Sequence, residues 1–290
     1  MLQEQYFYMS VFFIGGKKLK KRFGMKLTFI SVLVILACFA AYMVNNRSEA
    51  APKPAMAEQA PKPVTIYLAG DSTVSDYPSS LFPRTGWGQV LPTMLDQQVT
   101  VQNFAKRGRS SKSFIHEGRL NWILNSIQKG DYLFIQFGHN DEKVRYPNLY
   151  TNPNTTYKIY LKQYIDGARK KGAFPILVTP VQRMSFSNDG RALDTHGRYP
   201  EAMKALAKEE NVPVIDLAAK SRRLYQQLGT DNTKKLFLWL KAGQYPNYPQ
   251  GVKDPTHFQE YGAEHIAKLV IEGIEELHLP IENHILAKYR

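Results

Sequence analysis

From residue 64 onward, short apolar runs alternate with amphipathic stretches along the chain. Five of these runs are rich in β-branched and aromatic residues, which is typical of buried strands. They cover residues 64–70, 99–105, 131–138, 174–180 and 212–217. Because each gap between them is long enough for a crossover helix, the pattern predicts βαβ units around a five-stranded, mainly parallel sheet.

The amphipathic stretches between these runs predict the helices. They cover residues 88–95, 117–128, 156–171, 199–210 and 217–228, with a last helix near 260–277. This alternation predicts the α/β class and a three-layer α/β/α sandwich, in which ligands bind beyond the carboxyl ends of the strands. Residues 241–258 are predicted to form a long irregular segment, and long loops in compact domains are often functional.

The first 63 residues have a different pattern. A basic stretch at residues 17–26 precedes eighteen mostly apolar residues at 27–44, and small residues follow around Ala50 and Ala57. This order predicts an export signal over residues 1–50, an Ala/Pro-rich linker over 51–63 and a folded domain over 64–290. We expect cleavage and export to the periplasm or the extracellular space. The alternative is an uncleaved signal-anchor, and Met25 is expected to be the true start.

The net charge of the chain changes when this segment is set aside. The whole chain carries +13, but residues 1–50 hold seven Lys/Arg and two Asp/Glu, so 31 Lys/Arg, 23 Asp/Glu and a charge of +8 remain. A basic exported domain suits an acidic polymer such as a uronic-acid polysaccharide, although a merely solvated surface has the same composition. No basic run with interleaved aromatic residues indicates a nucleic-acid groove, so no nucleic-acid partner is expected.

Several familiar catalytic signatures are absent from the sequence. It contains no GxSxG elbow, no GxxxxGK[ST] loop, no GxGxxG turn and no HExxH motif. The nucleotide-binding, zinc-protease and ordinary α/β-hydrolase classes therefore lose support. The only cysteine, Cys38, lies inside the apolar N-terminal run, so the folded domain is expected to make no disulfide.

Four short motifs occur in a fixed order, and the first three follow predicted strands. They are GDST at residues 70–73, NFAKRGRSSKSF at 103–114, FGHND at 137–141 and DPTH at 254–257. Each has a structural explanation when taken alone. Ser72 can cap a helix, Asn140 can organise its own turn, and His257 can begin the last helix.

Together, the four motifs supply every group that acyl transfer needs. Ser72 is a candidate nucleophile, and a serine hydroxyl becomes reactive when a base such as His257 accepts its proton. Asp254, three residues before the histidine, can hold the imidazole in the required tautomer. We expect Ser72 to begin a helix as well, with its N-terminal dipole near the developing charge.

Three donors are predicted to form an oxyanion hole at the strand ends. They are the backbone N–H of Ser72, the backbone N–H of Gly108 and the side-chain amide of Asn140. Glycine at position 108 permits a close backbone approach or an unusual φ angle. Prearranged donors of this kind stabilise the negative charge that develops on a carbonyl oxygen.

With these motifs the sequence resembles the SGNH (GDSL-like) hydrolases, whose four marker residues would be Ser72, Gly108, Asn140 and His257. Within that superfamily it is most similar to rhamnogalacturonan acetylesterases, through TGWGQVLP (85–92), GRSSKSF…EGRL (108–120), FGHND and PILVTPVQR (175–183). The resemblance implies a flavodoxin-like fold and a serine esterase that removes acetyl groups from pectin with no metal or cofactor. Acetyl-xylan or small acetylated sugars as substrates, and a non-catalytic carbohydrate-binding protein, are the alternatives.

Further residues are candidates for binding the acidic polysaccharide. The possible sugar-groove residues are Arg109, Arg183, His196 and Trp87, and core packing is the alternative for the tryptophan. The extra charge of Lys106 and Arg107 beside Gly108 either binds galacturonate carboxylates or faces water. Asp71 is expected to support the serine turn, and His139 is expected to be structural. Asp76 has no predicted role, and the protein is expected to be a monomer.

Overall fold

The computed structural model describes residues 63–290. The predicted export signal and nearly all of the predicted linker lie outside the described residues, so both remain predictions. Within residues 63–290, no helix is long and apolar enough to cross a membrane.

Eight strands form two sheets in the described part of the chain. They are β1 (Val64–Gly70), β2 (Arg84–Thr85), β3 (Val99–Asn103), β4 (Tyr132–Gln136), β5 (Phe174–Val178), β6 (Val214–Ile215), β7 (Phe237–Leu240) and β8 (Val252–Gln259). The larger sheet has the order β3-β1-β4-β5-β6 and is parallel throughout. The predicted five-stranded parallel sheet is therefore confirmed, with the strand order of a doubly wound α/β fold.

The second sheet was not predicted. Its order is β2-β8-β7, and both pairings are antiparallel. The prediction that residues 241–258 are irregular is wrong from Val252 onward, because Val252–Gln259 is a strand. The strand contains a proline and several polar residues, KDPTH, so it lacks the alternation that identifies a strand from sequence.

Between residues 63 and 290, seven α-helices surround the sheets. They are α1 (Trp87–Val90), α2 (Ser111–His116), α3 (Arg119–Ser126), α4 (Thr156–Lys170), α5 (Tyr199–Glu209), α6 (Leu217–Lys234) and α7 (Glu260–Glu276). Short 3-10 helices cover Ser79–Leu81, Leu91–Met94, Pro280–His284 and Ala287–Tyr289. Four helices match their predictions closely at the N-terminus. The differences are α1, which gives way to a 3-10 helix after Val90, the additional helix α2, and a longer α6, which continues past a kink at Gly229.

The core lies on both faces of the parallel sheet, as the three-layer prediction requires. In β1, Ile66 and Leu68 face one layer, which includes α1 and α7, while Tyr67 and Ala69 face the other, which includes α2 to α5. Successive side chains of a strand point to opposite faces, so a strand buried on both sides is apolar at nearly every position. This is why the hydrophobic runs in the sequence identified the parallel strands.

Candidate active site

The nucleophile candidate lies just beyond the carboxyl end of β1. No helix begins at Ser72, which corrects that expectation: the backbone N–H groups of Val74 and Ser75 both donate to the carbonyl of Asp71, forming a single turn. Gly86 packs against this turn so closely that a Cβ atom there would lie 2.3 Å from the carbonyl oxygen of Ser75. Because glycine has no Cβ, the backbone at the start of α1 can pack directly against the turn that contains Ser72.

A series of hydrogen bonds between buried side chains also stabilises the turn. Oδ1 of Asp71 accepts hydrogen bonds from the backbone N–H and the hydroxyl of Thr73, at 2.9 and 2.8 Å. The Gln136 amide donates to the Thr73 hydroxyl at 2.7 Å, and the Trp87 indole N–H donates to the Gln136 carbonyl oxygen at 2.9 Å. Trp87 is fully buried, so it supports the turn and offers no ring face to a sugar.

The three predicted catalytic side chains form one hydrogen-bonded chain. The Ser72 hydroxyl lies 2.8 Å from Nε2 of His257, and Nδ1 of the same ring lies 2.7 Å from Oδ2 of Asp254. A carboxylate can only accept, so Nδ1 carries a proton and Nε2 is free to accept from the serine. This is the tautomer that a general base for Ser72 requires.

Strand β8 fixes the acid and the base relative to each other. Oδ1 of Asp254 accepts the backbone N–H groups of Thr256 and His257, at 2.8 and 3.1 Å, which leaves Oδ2 directed at the imidazole. Partial burial would raise the pKa of Asp254, but the hydrogen bond and charge of His257 and these backbone donors lower it to about 2. The carboxylate therefore stays ionised at any pH at which the imidazole can act as a base.

Besides Ser72, the two other predicted oxyanion donors lie in loops at the carboxyl ends of β3 and β4. Gly108 has φ of +77°, a conformation that favours glycine. The Asn140 amide donates to the carbonyl of Arg109 at 3.0 Å and its carbonyl oxygen accepts Nζ of Lys143 at 2.7 Å, so both ends of this buried side chain are fixed. Within residues 63–290, the N–H groups of Ser72 and Gly108 donate to no protein acceptor.

A second cluster of polar side chains lies behind the Asn140 loop, with a buried histidine and two partly exposed charged partners. His196 is buried, with Nδ1 at 3.0 Å from Oε2 of Glu142 and Nε2 at 2.8 Å from the carbonyl of Val181. The guanidinium of Arg183 bonds the other oxygen of Glu142. His196 and Arg183 were predicted to line a sugar groove, but their polar atoms are used inside the protein, and the histidine ring has no exposed face.

His139 belongs to the same cluster, as its predicted structural role implies. Its ring packs edge-on against His196 with centroids 4.4 Å apart, and Nδ1 lies 3.2 Å from Oδ2 of Asp71. Burial lowers the pKa of His139 to about 4, against the opposing influence of Asp71. The neutral ring thus joins the Ser72 turn to the Asn140 loop without adding a charge at neutral pH.

The arginines of this region differ in whether a carboxylate binds them. The guanidinium of Arg109 is held by Glu117, with Nε at 2.9 Å from Oε1. In contrast, the guanidinium carbons of Arg84 and Arg107 lie 5.0 and 5.4 Å from the ring centre of Tyr77. Among the described residues, no carboxylate forms an ion pair with either arginine. The sequence left open whether Arg107 binds galacturonate carboxylates or faces water, and it gave no indication of a role for Arg84.

Tyr77 connects these arginines to the nucleophile. Its hydroxyl donates to the carbonyl of Ser72 at 2.7 Å, and burial raises its pKa to about 12, so it remains a donor. Asp76 had no predicted role. Its carboxylate accepts the Asn103 amide at 2.7 Å and so joins the loop after β1 to the end of β3. Within residues 63–290, no group of three or more His, Cys, Asp or Glu side chains could hold a metal ion.

Comparison with known proteins gives consistent matches. The model of the GDSL-like Lipase/Acylhydrolase family matches residues 68–264. Rhamnogalacturonan acetylesterase RhgT of Bacillus subtilis is 52% identical over 78% of this chain and 96% of its own length. Probable rhamnogalacturonan acetylesterase YesY of the same organism is 47% identical over 76% of this chain and 97% of its own length.

Solved structures share the fold. Protein YxiM of Bacillus subtilis superposes with a TM-score of 0.65 at 29% identity, over 75% of this chain and 57% of that one. A catalytic mutant of Axe2, an acetylxylan esterase of Geobacillus stearothermophilus, has a TM-score of 0.52 at 15% identity, over 73% of this chain and 94% of that one. The second match is evidence for the fold alone.

Proposed function

Because the chain belongs to the GDSL-like Lipase/Acylhydrolase family and is a carboxylic ester hydrolase, we propose that it removes O-acetyl groups from rhamnogalacturonan through Ser72, His257 and Asp254. The observation that carries the catalytic assignment is the continuous hydrogen-bonded chain from the Ser72 hydroxyl through the imidazole to the Asp254 carboxylate. It combines a nucleophile, a base in the required tautomer and an ionised group that orients the base.

In the proposed acylation step, Oγ of Ser72 attacks the acetyl carbonyl carbon while Nε2 of His257 takes the hydroxyl proton. The resulting oxyanion receives hydrogen bonds from the Ser72 and Gly108 N–H groups and from the Asn140 amide. When the tetrahedral intermediate collapses, the sugar hydroxyl leaves with the proton from Nε2, and the acetyl group remains on Ser72. Asp254 stays ionised and stabilises the imidazolium in between.

Deacylation repeats these steps with water as the nucleophile. Water gives a proton to Nε2 of His257 as its oxygen attacks the acetyl-serine, and the same donors stabilise the second oxyanion. The intermediate releases acetate as Oγ of Ser72 takes the proton back. The His257 side chain is 20% exposed, which is consistent with water reaching it once the sugar has left.

Two observations support the choice of a pectic substrate. The relatives with 52% and 47% identity are a named and a probable rhamnogalacturonan acetylesterase, each covered over nearly its whole length. In addition, Arg84 and Arg107 lie beside Tyr77, which contacts Ser72, and no protein carboxylate pairs with them among the described residues. Galacturonate units bring carboxylates that can interact with these cations.

Such a polymer lies outside the cell, and we propose that the protein is exported to act on it. The basic and apolar pattern of residues 17–44 supports this location. N-terminal sequencing of the protein recovered from culture medium and from membranes tests whether the segment is cleaved. A mature N-terminus near Ala50 or Ala57 is the expected result, whereas a full-length protein in the cytoplasm would contradict export.

The catalytic proposal is tested with 4-nitrophenyl acetate. Ser72→Ala and His257→Ala should each lower kcat by about 10⁴-fold or more, and the double variant should be no worse than either, because such groups act as a unit. Mass spectrometry of the quenched wild-type reaction should show one added acetyl group on the peptide that contains Ser72. A Ser72→Ala variant with undiminished turnover refutes the assignment.

The substrate proposal is tested separately, by measuring acetate release from acetylated rhamnogalacturonan, homogalacturonan and xylan at equal acetyl content. We expect the highest kcat/KM on rhamnogalacturonan. A clear preference for xylan would overturn the substrate while leaving the catalytic proposal intact.

A further inference from the structure

A groove of about 930 Å³ lies on the β7–β8 side of the second sheet, and its lining contains none of the proposed catalytic residues. The volume falls within the range of about 300–1,000 Å³ that is usual for ligand pockets. Four lysines, a tryptophan and a glutamine are among the residues that line it: Lys234, Lys235, Lys241, Lys253, Trp239 and Gln259. No Asp or Glu is among the lining residues, so the groove is cationic.

Most of the positive charge in this groove is not neutralised by the protein. Lys234 pairs with Asp231 at 2.8 Å, and Lys235 donates only to the neutral amide oxygen of Asn232. Within the part of the chain that the structure describes, the ammonium groups of Lys241 and Lys253 form no hydrogen bond and no ion pair. A ligand with carboxylates would therefore meet free cations without first breaking protein contacts.

Trp239 gives the groove an aromatic surface. It is partly exposed, Nζ of Lys234 lies 5.9 Å from its ring centre, and within residues 63–290 its indole N–H donates to no acceptor. An aromatic ring with a free N–H can stack on the C–H face of a sugar and donate to a hydroxyl. Lysines beside a tryptophan thus match a sugar that carries a carboxylate.

The position of the groove relates it to the proposed reaction. Trp239 is paired across the strands with Lys253, and Leu238 with Asp254. Since successive side chains of a strand point to opposite faces, Trp239 and Lys253 lie on the face opposite to the buried Leu238 and its partner Asp254. The strand that carries the acid and the base therefore also carries the groove, which lies on the face opposite to Asp254.

We infer that this groove, hereafter the Lys–Trp groove, binds galacturonate units of the same polysaccharide at a distance from Ser72; the choice of polymer rests on the proposed function. A polymer held there stays at high local concentration near the catalytic residues, because the second binding event becomes intramolecular. The groove therefore lowers KM for long chains and leaves kcat for small esters unchanged.

The test uses de-esterified polygalacturonate oligosaccharides, which bind without being turned over. We expect Lys241→Gln/Lys253→Gln to weaken their binding about tenfold in isothermal titration calorimetry at low salt, with a smaller loss at high salt. Trp239→Ala should also weaken binding. Lys170→Gln/Lys171→Gln removes the same charge from exposed positions at the end of α4 and should leave binding unchanged.

Three outcomes would overturn the inference. They are unchanged polygalacturonate binding in the Lys241→Gln/Lys253→Gln variant, equal loss in the Lys170→Gln/Lys171→Gln control, and equally tight binding of double-stranded DNA, which would indicate an unspecific anion surface. Turnover of 4-nitrophenyl acetate by all these variants should equal that of the wild type. If polygalacturonate binds the groove but no acetate is released from rhamnogalacturonan, the proposed function fails and the groove assignment stands.

Discussion

Ser72 and Asn140 lie at the carboxyl ends of the parallel sheet and are buried, whereas Asp254 and His257 lie on a strand of the small antiparallel sheet with side chains that are 23% and 20% exposed. The first pair is fixed by protein hydrogen bonds from several elements, through Tyr77, Arg109 and Lys143. The side-chain hydrogen bonds of the second pair lie within residues 254–257, apart from the one between His257 and Ser72. The loops of the parallel sheet thus hold the proposed nucleophile and an oxyanion donor in fixed positions, and the small sheet carries the proposed base, which is accessible to solvent.

This difference predicts that the two regions respond differently to substitution. Changes to the Asp254 and His257 side chains should alter chemistry with little effect on folding, because their hydrogen bonds stay within residues 254–257 apart from the one to Ser72. Changes in the buried region behind Ser72 should alter stability and its pH dependence as well, because several loops meet there.

The largest of these effects is expected for Asp254→Asn. The new amide group would face Nδ1 of His257 with a donor, so the imidazole proton would move to Nε2 and the ring could not accept from Ser72. We expect kcat for 4-nitrophenyl acetate to fall by about 10⁴-fold. The midpoint of thermal unfolding should change little, and a loss of activity below tenfold would contradict the role of Asp254.

Asn140→Ala tests the other region and should have a smaller effect. It removes one oxyanion donor, which typically costs about 10²–10³ in kcat. Lys143→Gln is the matched control, because Lys143 contacts the carbonyl oxygen of Asn140 and leaves the amide donor in place. We expect that control to keep kcat within a few fold, and an equal loss in both variants would assign the effect to loop packing.

The same contrast explains which features could be predicted from sequence. The central parallel strands are buried on both faces, so their apolar runs were visible, and the Ser72, Gly108 and Asn140 loops follow strands of this sheet. Strand β8 carries KDPTH, which has no strand pattern, so its motif was found from the order of residue types and its strand was missed. His196 was expected to line a sugar groove, and for Trp87 a sugar groove and core packing were both left open, because a sequence does not show that an aromatic or imidazole N–H has a buried partner.

His139 provides a pH-dependent test of the buried region. Its pKa is about 4 in the folded protein, below the ordinary 6.5, so the unfolded chain takes up a proton between these values and the folded protein does not. The stability of the wild type relative to His139→Asn should therefore fall as the pH decreases from 6.5 to 4, by roughly 3 kcal/mol in total. Urea unfolding of both proteins across this range measures the difference.

Burial raises the pKa of Asp141 to about 7, so this group changes the stability with pH in the opposite direction. Comparing the wild type with His139→Asn cancels its contribution. Asp141 is fully buried beside the start of α2 and is present in both chains. A stability difference that does not vary with pH would show that His139 titrates normally, and its proposed burial as a neutral ring would be wrong.

The smallest effect is expected at the rim of the site, where Arg107 differs from Arg109 in having no carboxylate partner among the described residues. Arg107→Gln should raise KM for acetylated rhamnogalacturonan by about threefold to tenfold and leave kcat unchanged, because an exposed charge pair contributes only about 0.2–1 kcal/mol and desolvation by the sugar adds to it.

Arg109→Gln is the matched control, since its guanidinium is already bound to Glu117. KM for 4-nitrophenyl acetate, which carries no carboxylate, should stay the same in both variants. If Arg109→Gln raises KM for the polymer and Arg107→Gln does not, Arg107 does not bind the galacturonate carboxylate. That outcome would instead support Arg109, which the sequence predicted as a substrate-binding residue.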